Sequence, residues 1–209
     1  MLIKICGINH EDTLLCCEEN NVDFFGMIFY PKSPRNISIE NASVLQNISE
    51  NLNINGVGVF VNHNINELEK IIKNLKLRFV QLHGVEDEMY VKTIKKIGVK
   101  IIKSISINNT NDLKKIDDYD SVDYYLFDYK PLNGELPGGN SKNFDWNILN
   151  NLEIDKPWFL SGGVNSNNIK QILSDISPFG IDLSSGVEKE LGIKDNRIIN
   201  NFIGKLRNA

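Results

Sequence analysis

A thiol, two carboxylates, an imidazole and two glycine–serine clusters stand where short apolar runs of this sequence end. Cys6 closes LIKIC, Asp128 closes DYYLFD, Asp182 lies in FGIDL and His83 follows RFVQL. Arg35 sits in the polar stretch YPKSPRNIS. A carboxylate at the end of an apolar run is costly to bury unless it is paired or functional, which marks Asp128 and Asp182. Glycine and serine at tight turns let backbone N–H groups approach a phosphate dianion closely. Gly162, Gly163, Ser184, Ser185 and Gly186 are the candidates for that task. Arg35 either caps a helix or pairs at the surface, or, reaching over a phosphate site, binds a second substrate anion bidentately. Cys6 has two readings, chemistry or packing, because free cysteine is among the most buried residue types. Cys16 and Cys17 fall within the first helical pattern and are read as packing. His10, His63 and His83 form no HxH, HExxH or Cys/His spacing, and no Walker A motif is present. Neither a metal nor a cofactor is expected.

The elements that must position these groups alternate strictly. Strands are predicted near 2–6, 23–29, 56–61, 78–82, 99–104, 123–128, 157–161 and 179–183. Near-continuous apolar character over these short runs suits strands buried on both faces, as parallel sheets require. Between them lie helical patterns such as 65–75 and 88–97, the latter with Met89, Ile94 and Ile97 on one face. Asn165-Ser166 and Asp195 read as helix N-caps. Eight strand-then-helix units predict a closed parallel (β/α)₈ barrel formed by residues 1–209 as one domain. The chain is short for that fold, typically about 250 residues, so its loops must be minimal. An open doubly wound sheet competes, but no GxGxxG follows the first strand. In a barrel Cys6, Arg35, Asp128 and the two glycine–serine clusters converge on the C-terminal mouth, and the clusters follow strands seven and eight, a common phosphate position.

Composition narrows the partners. The 209 residues are 41% hydrophobic and 24% charged, ordinary for a globular protein. A net charge of −4 gives no electrostatic reason to expect nucleic acid or an anionic membrane. No apolar window approaches a membrane span of roughly 18 residues, and the N-terminus lacks the pattern of a secretory signal. Three cysteines cannot all pair, so reduced thiols and a cytoplasmic location are expected. Arginine occurs only at Arg35, Arg78, Arg197 and Arg207 in a lysine-rich chain, which heightens interest in Arg35.

With these residues in view, the sequence resembles the phosphoribosylanthranilate isomerases. KICGI (4–8), GMIFYPKSPRNIS (26–38), GVFVN (58–62) and VQLHG (80–84) carry the likeness in the first half. LFD (126–128), GGNSKNFDW (138–146), LSGGVNSNNI (160–169) and DLSSGVEKELGIKD (182–195) continue it in family order. The resemblance implies a TIM barrel of the ribulose-phosphate-binding type. It implies an Amadori rearrangement of N-(5-phosphoribosyl)anthranilate to 1-(2-carboxyphenylamino)-1-deoxyribulose 5-phosphate in tryptophan biosynthesis. That reaction needs no cofactor. By the same resemblance Cys6 is the base and Asp128 the acid, Arg35 meets the anthranilate carboxylate, and His83 and Asp182 orient the ribose or the acid. A thiol with an ordinary pKa of roughly 8.5 then needs positive surroundings to act as a base. Two positions depart from the family pattern: Ser141 replaces a usual glycine, and Tyr129 follows Asp128 where a small hydroxyl residue is common. A monomer is expected, with a homodimer as the alternative. Competing readings are an isomerase or epimerase acting on another ribose or ribulose phosphate, and a non-catalytic phosphate-binding barrel. A histidine-pathway isomerase would place an aspartate where Cys6 stands, and a metal-dependent epimerase would need more strand-end histidines than His83.

Overall fold

The computed structural model describes every residue except 133, 137, 141, 151 and 209. The eight expected runs are strands that close, in chain order, into a parallel barrel. They are β1 (Leu2–Cys6), β2 (Phe24–Phe29), β3 (Asn55–Phe60), β4 (Phe79–Leu82), β5 (Lys100–Ile107), β6 (Tyr124–Tyr129), β7 (Trp158–Leu160) and β8 (Gly180–Leu183). Pairing of β1 with β8 completes the circle and sets Lys4 opposite Asp182.

Side-chain alternation divides the apolar residues into two layers. Outward residues such as Ile5, Phe25, Met27 and Val80 pack beneath the surrounding helices. Inward residues Cys6, Phe24, Val57, Val59, Ile102, Leu126 and Phe159 fill the barrel. Phe24 meets Phe79 and Phe159 edge-on, with ring centroids 5.0 and 6.0 Å apart, and these rings floor the barrel below the mouth. Such edge-to-face pairs suit the ring quadrupole.

The helices are α1 (Glu11–Glu19), α2 (Ile39–Ser49), α3 (Ile65–Asn74), α4 (Glu88–Lys95), α5 (Ile169–Asp175) and α6 (Asn196–Arg207). Asp195 caps α6 as expected, accepting from the Arg197 and Ile198 amides at 2.8 and 3.3 Å. Three expectations need correction. The connections after β5 and β6 are 3₁₀ helices, Thr110–Asp118 and Trp146–Leu149. In the first, Leu113 and Ile116 are the residues that pack on the core, and a three-residue spacing matches three residues per turn. Met89 is exposed, and Val91 with Ile94 forms the buried face of α4. The cap of α5 is Asn168, while the Asn165 side chain instead accepts from the Asn167 amide in the preceding turn. One element escaped the sequence: a short hairpin, β9 (Glu188–Glu190) with β10 (Ile193–Lys194), follows β8 before α6.

Candidate active site

Cys6 ends β1 on the inward face, buried, and pairs across the ladder with Gly26 of β2. A methyl group at residue 26 would come within 2.8 Å of the thiol sulfur, so glycine there makes the room Cys6 occupies. Lys4 lies two residues earlier on the same inward face and is wholly buried. Its ammonium donates to Asp182 Oδ1 at 2.8 Å, and its charge is felt by Cys6. Burial disfavours the ammonium, but Asp182 and Cys6 together hold the Lys4 proton more tightly than usual. Burial pushes the Cys6 thiol up; Lys4 pulls it down, Asp182 pushes it up and Lys194 pulls it down again. The net direction is upward.

Asp128, next to last in β6, lies across the barrel and is also buried. Its Oδ1 accepts from the Tyr129 amide at 2.8 Å, and its Oδ2 lies 3.3 Å from His83 Nε2. Tyr129 thus serves Asp128 through its backbone, while its ring lies under the Lys142 ammonium. His83 Nδ1 is 2.7 Å from the Gln81 amide nitrogen. The loop beyond His83 is fixed by a buried ion pair, Lys103 with Glu86 at 2.8 Å. The Glu86 carboxylate also accepts from the Asn62 and Gly84 amides. Ser141 lies outside the described residues.

All the sequence candidates gather at one mouth. Cys6, Arg35, Gln81, His83, Asp128 and Asp182 line a common cavity. Gly162, Gly163, Ser184, Ser185 and Gly186 line an adjoining one, which Asp128 and Asp182 share. Gly162 and Gly163 adopt φ of +79° and +73°, a left-handed backbone that favours glycine. The Asn165 and Asn168 side-chain amides both donate to the Gly163 carbonyl and hold that turn. Arg35 is buried and already bonded along one edge to Glu188. Among the described residues no group of three His, Cys, Asp or Glu side chains could hold a metal ion.

Four residues that line or back this mouth were not singled out from the sequence: Lys4, Gln81, Glu188 and Lys194. A signal existed for Lys4, because a lysine two residues before Cys6 in an apolar strand must share its inward face. Gln81 bears the same relation to His83. Glu188 and Lys194 carried no such signal, since only the hairpin brings them back to Arg35.

The chain matches known proteins along its whole length. A family model described as N-(5'phosphoribosyl)anthranilate (PRA) isomerase matches residues 3–205. The N-(5'-phosphoribosyl)anthranilate isomerase of Sinorhizobium fredii is 39% identical, spanning 100% of this chain and 94% of that one. The phosphoribosyl anthranilate isomerase structure from Thermotoga maritima superposes with a TM-score of 0.87 at 32% identity, covering 100% of both chains. Another isomerase structure, in complex with reduced 1-(o-carboxyphenylamino)-1-deoxyribulose 5-phosphate, gives a TM-score of 0.82 at 30% identity. It too covers 100% of both chains.

Proposed function

Since the chain belongs to the N-(5'-phosphoribosyl)anthranilate isomerase family, we propose that Cys6 and Asp128 carry out its Amadori rearrangement as base and acid. In this reading Asp128 protonates the furanose oxygen as the ring opens to an iminium at C1. Cys6 then removes the proton from C2, leaving an enolamine that tautomerises to the ketone. C1 is reduced as C2 is oxidised, so the redox change stays within the substrate. Positioned proton transfers of this kind are each worth roughly 10² to 10⁴ in rate.

The observation that carries the reading is the placement of both groups on one cavity beside the glycine–serine turns. The buried Lys4 ammonium beside Cys6 supplies the positive charge that a thiolate base needs. Gly162, Gly163, Ser184, Ser185 and Gly186 would cradle the phosphate through backbone N–H groups. Arg35 would take the anthranilate carboxylate. His83, beside Asp128, would orient the acid, and Asp182, between the two cavities, the ribose.

We read residues 1–209 as a single catalytic domain acting as a monomer, with a homodimer as the alternative; every group invoked comes from one chain. No helix among the described residues is long and apolar enough to cross a membrane. The free Cys6, Cys16 and Cys17 suit a reducing cytoplasm. The test is direct: phosphoribosylanthranilate made in situ should be consumed by the purified protein, followed by anthranilate fluorescence. Turnover of another ribulose phosphate but not of this substrate would overturn the proposal.

A further inference from the structure

Arg35 is held by an unusually complete set of contacts. Its guanidinium donates from Nε to Glu188 Oε1 at 2.7 Å and from Nη2 to Glu188 Oε2 at 2.9 Å. Glu188 is in turn held by the Lys194 ammonium at 2.6 Å and by the Gly192 amide at 3.1 Å. Lys194 is anchored on the Ser184 carbonyl at 3.0 Å. Side-chain exposure is only 2% for Arg35, 5% for Glu188 and 1% for Lys194.

Burial pushes the Glu188 carboxyl up, but the Arg35 hydrogen bond and the Lys194 charge bring it below its ordinary value, so it remains an anion. Burial draws the Lys194 ammonium below its ordinary pKa and Glu188 restores only part of that. With its proton held in the 2.6 Å contact to Glu188, the triad of two cations and one anion carries one net positive charge. Without Lys194, Glu188 would neutralise the arginine. Arg35 alone of the three lines the Cys6–Asp128 cavity.

The bidentate contact occupies the Nε edge and leaves Nη1 with no hydrogen-bond partner among the described residues. That free end is passed by the backbone at Gly139, where a side chain would sit 2.4 Å from Nη1. Gly139 has φ +71°, and Nη2 donates to its carbonyl at 3.3 Å.

We propose that Glu188 and Lys194 are positioning residues that turn the free end of Arg35 toward the cavity at undiminished positive charge, making the site selective for a carboxylate on the substrate's aromatic ring. The inference rests on the proposed isomerase reading, and neither residue touches the substrate itself. A guanidinium fixed on one edge presents Nη1 pre-organised, so less freedom is lost when a carboxylate binds.

The test compares dissociation constants for two ligands: the reduced product analogue with its ring carboxylate, and the same molecule lacking it. Wild type should prefer the carboxylated ligand by roughly ten- to a hundredfold, the scale of a hydrogen bond between charged groups. Lys194→Met should lower that preference about tenfold or more while changing affinity for the carboxylate-free ligand little. Adding Glu188→Gln to Lys194→Met removes the neutralising anion and should restore part of the preference, which a merely structural role would not do. An equal loss of affinity for both ligands, or no recovery in the double variant, would overturn the clamp. A folded wild type that binds both ligands equally would overturn it while leaving the isomerase reading intact. A wild type that binds neither ligand would sink the isomerase reading, and the clamp with it.

Discussion

A buried thiol makes a poor base unless its surroundings compensate, and Cys6 shows how the two tendencies are set against each other. Burial raises its pKa and Lys4 lowers it, with the upward effect the larger. In the free enzyme kcat/KM should therefore climb with pH as the thiolate forms, and its ascending limb should lie above the ordinary thiol range. Replacing Lys4 with glutamine keeps a hydrogen bond for Asp182 but removes the charge. A pH–rate profile of Lys4→Gln should show the ascending limb displaced further upward; an unmoved limb would remove Lys4 from the account. Space matters as much as charge. Gly26→Ala would drive a methyl group to within 2.8 Å of the sulfur and 3.1 Å of the Cys6 Cα. Overpacking of this sort costs about 1–3 kcal/mol, so thermal unfolding should show that loss, and turnover should fall as Cys6 is displaced. Gly204→Ala on α6 is the control, since a methyl group there meets nothing within 4 Å.

Among the elements, strands one and two and strands five and six are joined by the same device. Asp23, just before β2, accepts from the Ile3 amide at 2.8 Å, and Asp123, just before β6, accepts from the Ile101 amide at 2.8 Å. Each clamps the start of the neighbouring strand and so sets the register that brings Cys6 or Asp128 to the mouth. Asp123 also meets the Lys95 and Lys100 ammonium groups. Burial pushes Asp123 up, but the Lys95 hydrogen bond, the Ile101 amide and Lys100 hold it below the ordinary carboxylate value. A depressed folded pKa contributes stability above the unfolded value, and that stability fades as pH falls through the folded one. Asp123→Ala should cost about 1–3 kcal/mol at neutral pH by leaving the Ile101 amide without its acceptor. In urea unfolding the gap to wild type should narrow on acidification; a gap independent of pH would exclude the ionic part.

The same level shows what the sequence could reveal. All eight strands were legible because each is buried on both faces and so reads as an apolar run. Asp195 was legible as a cap because it directly precedes a clear amphipathic pattern. Met89 misled because Val91, not Met89, lies beside Ile94 on the buried face of α4. The 3₁₀ segment at Thr110–Asp118 was hidden by its polar residues, which carry too little periodicity to separate three residues per turn from 3.6. The β9–β10 hairpin was hidden by its brevity, and with it the long-range contact between Glu188 and Arg35. Arg35 itself stood out in the sequence, but its buried counter-ion did not, because tertiary pairings leave no local pattern.

Over the whole molecule, function depends on closure. Cys6 at the end of β1 and Asp128 near the end of β6 are remote in sequence and share a cavity only because β8 returns to pair with β1. That pairing also sets Lys4 against Asp182, so one ladder both shuts the barrel and charges the site. Under the proposed assignment neither half of the chain suffices alone: the base would come from the first half and the acid from the second, with the sugar phosphate held by the turns after β7 and β8. The most direct test is kcat/KM for phosphoribosylanthranilate in wild type, Cys6→Ala and Asp128→Asn, each confirmed as folded by circular dichroism. Turnover by wild type with a loss of about a hundredfold or more in each variant, the scale of a positioned proton transfer, is the predicted result. Either variant retaining activity within a few-fold of wild type would contradict the assignment of acid and base to this pair.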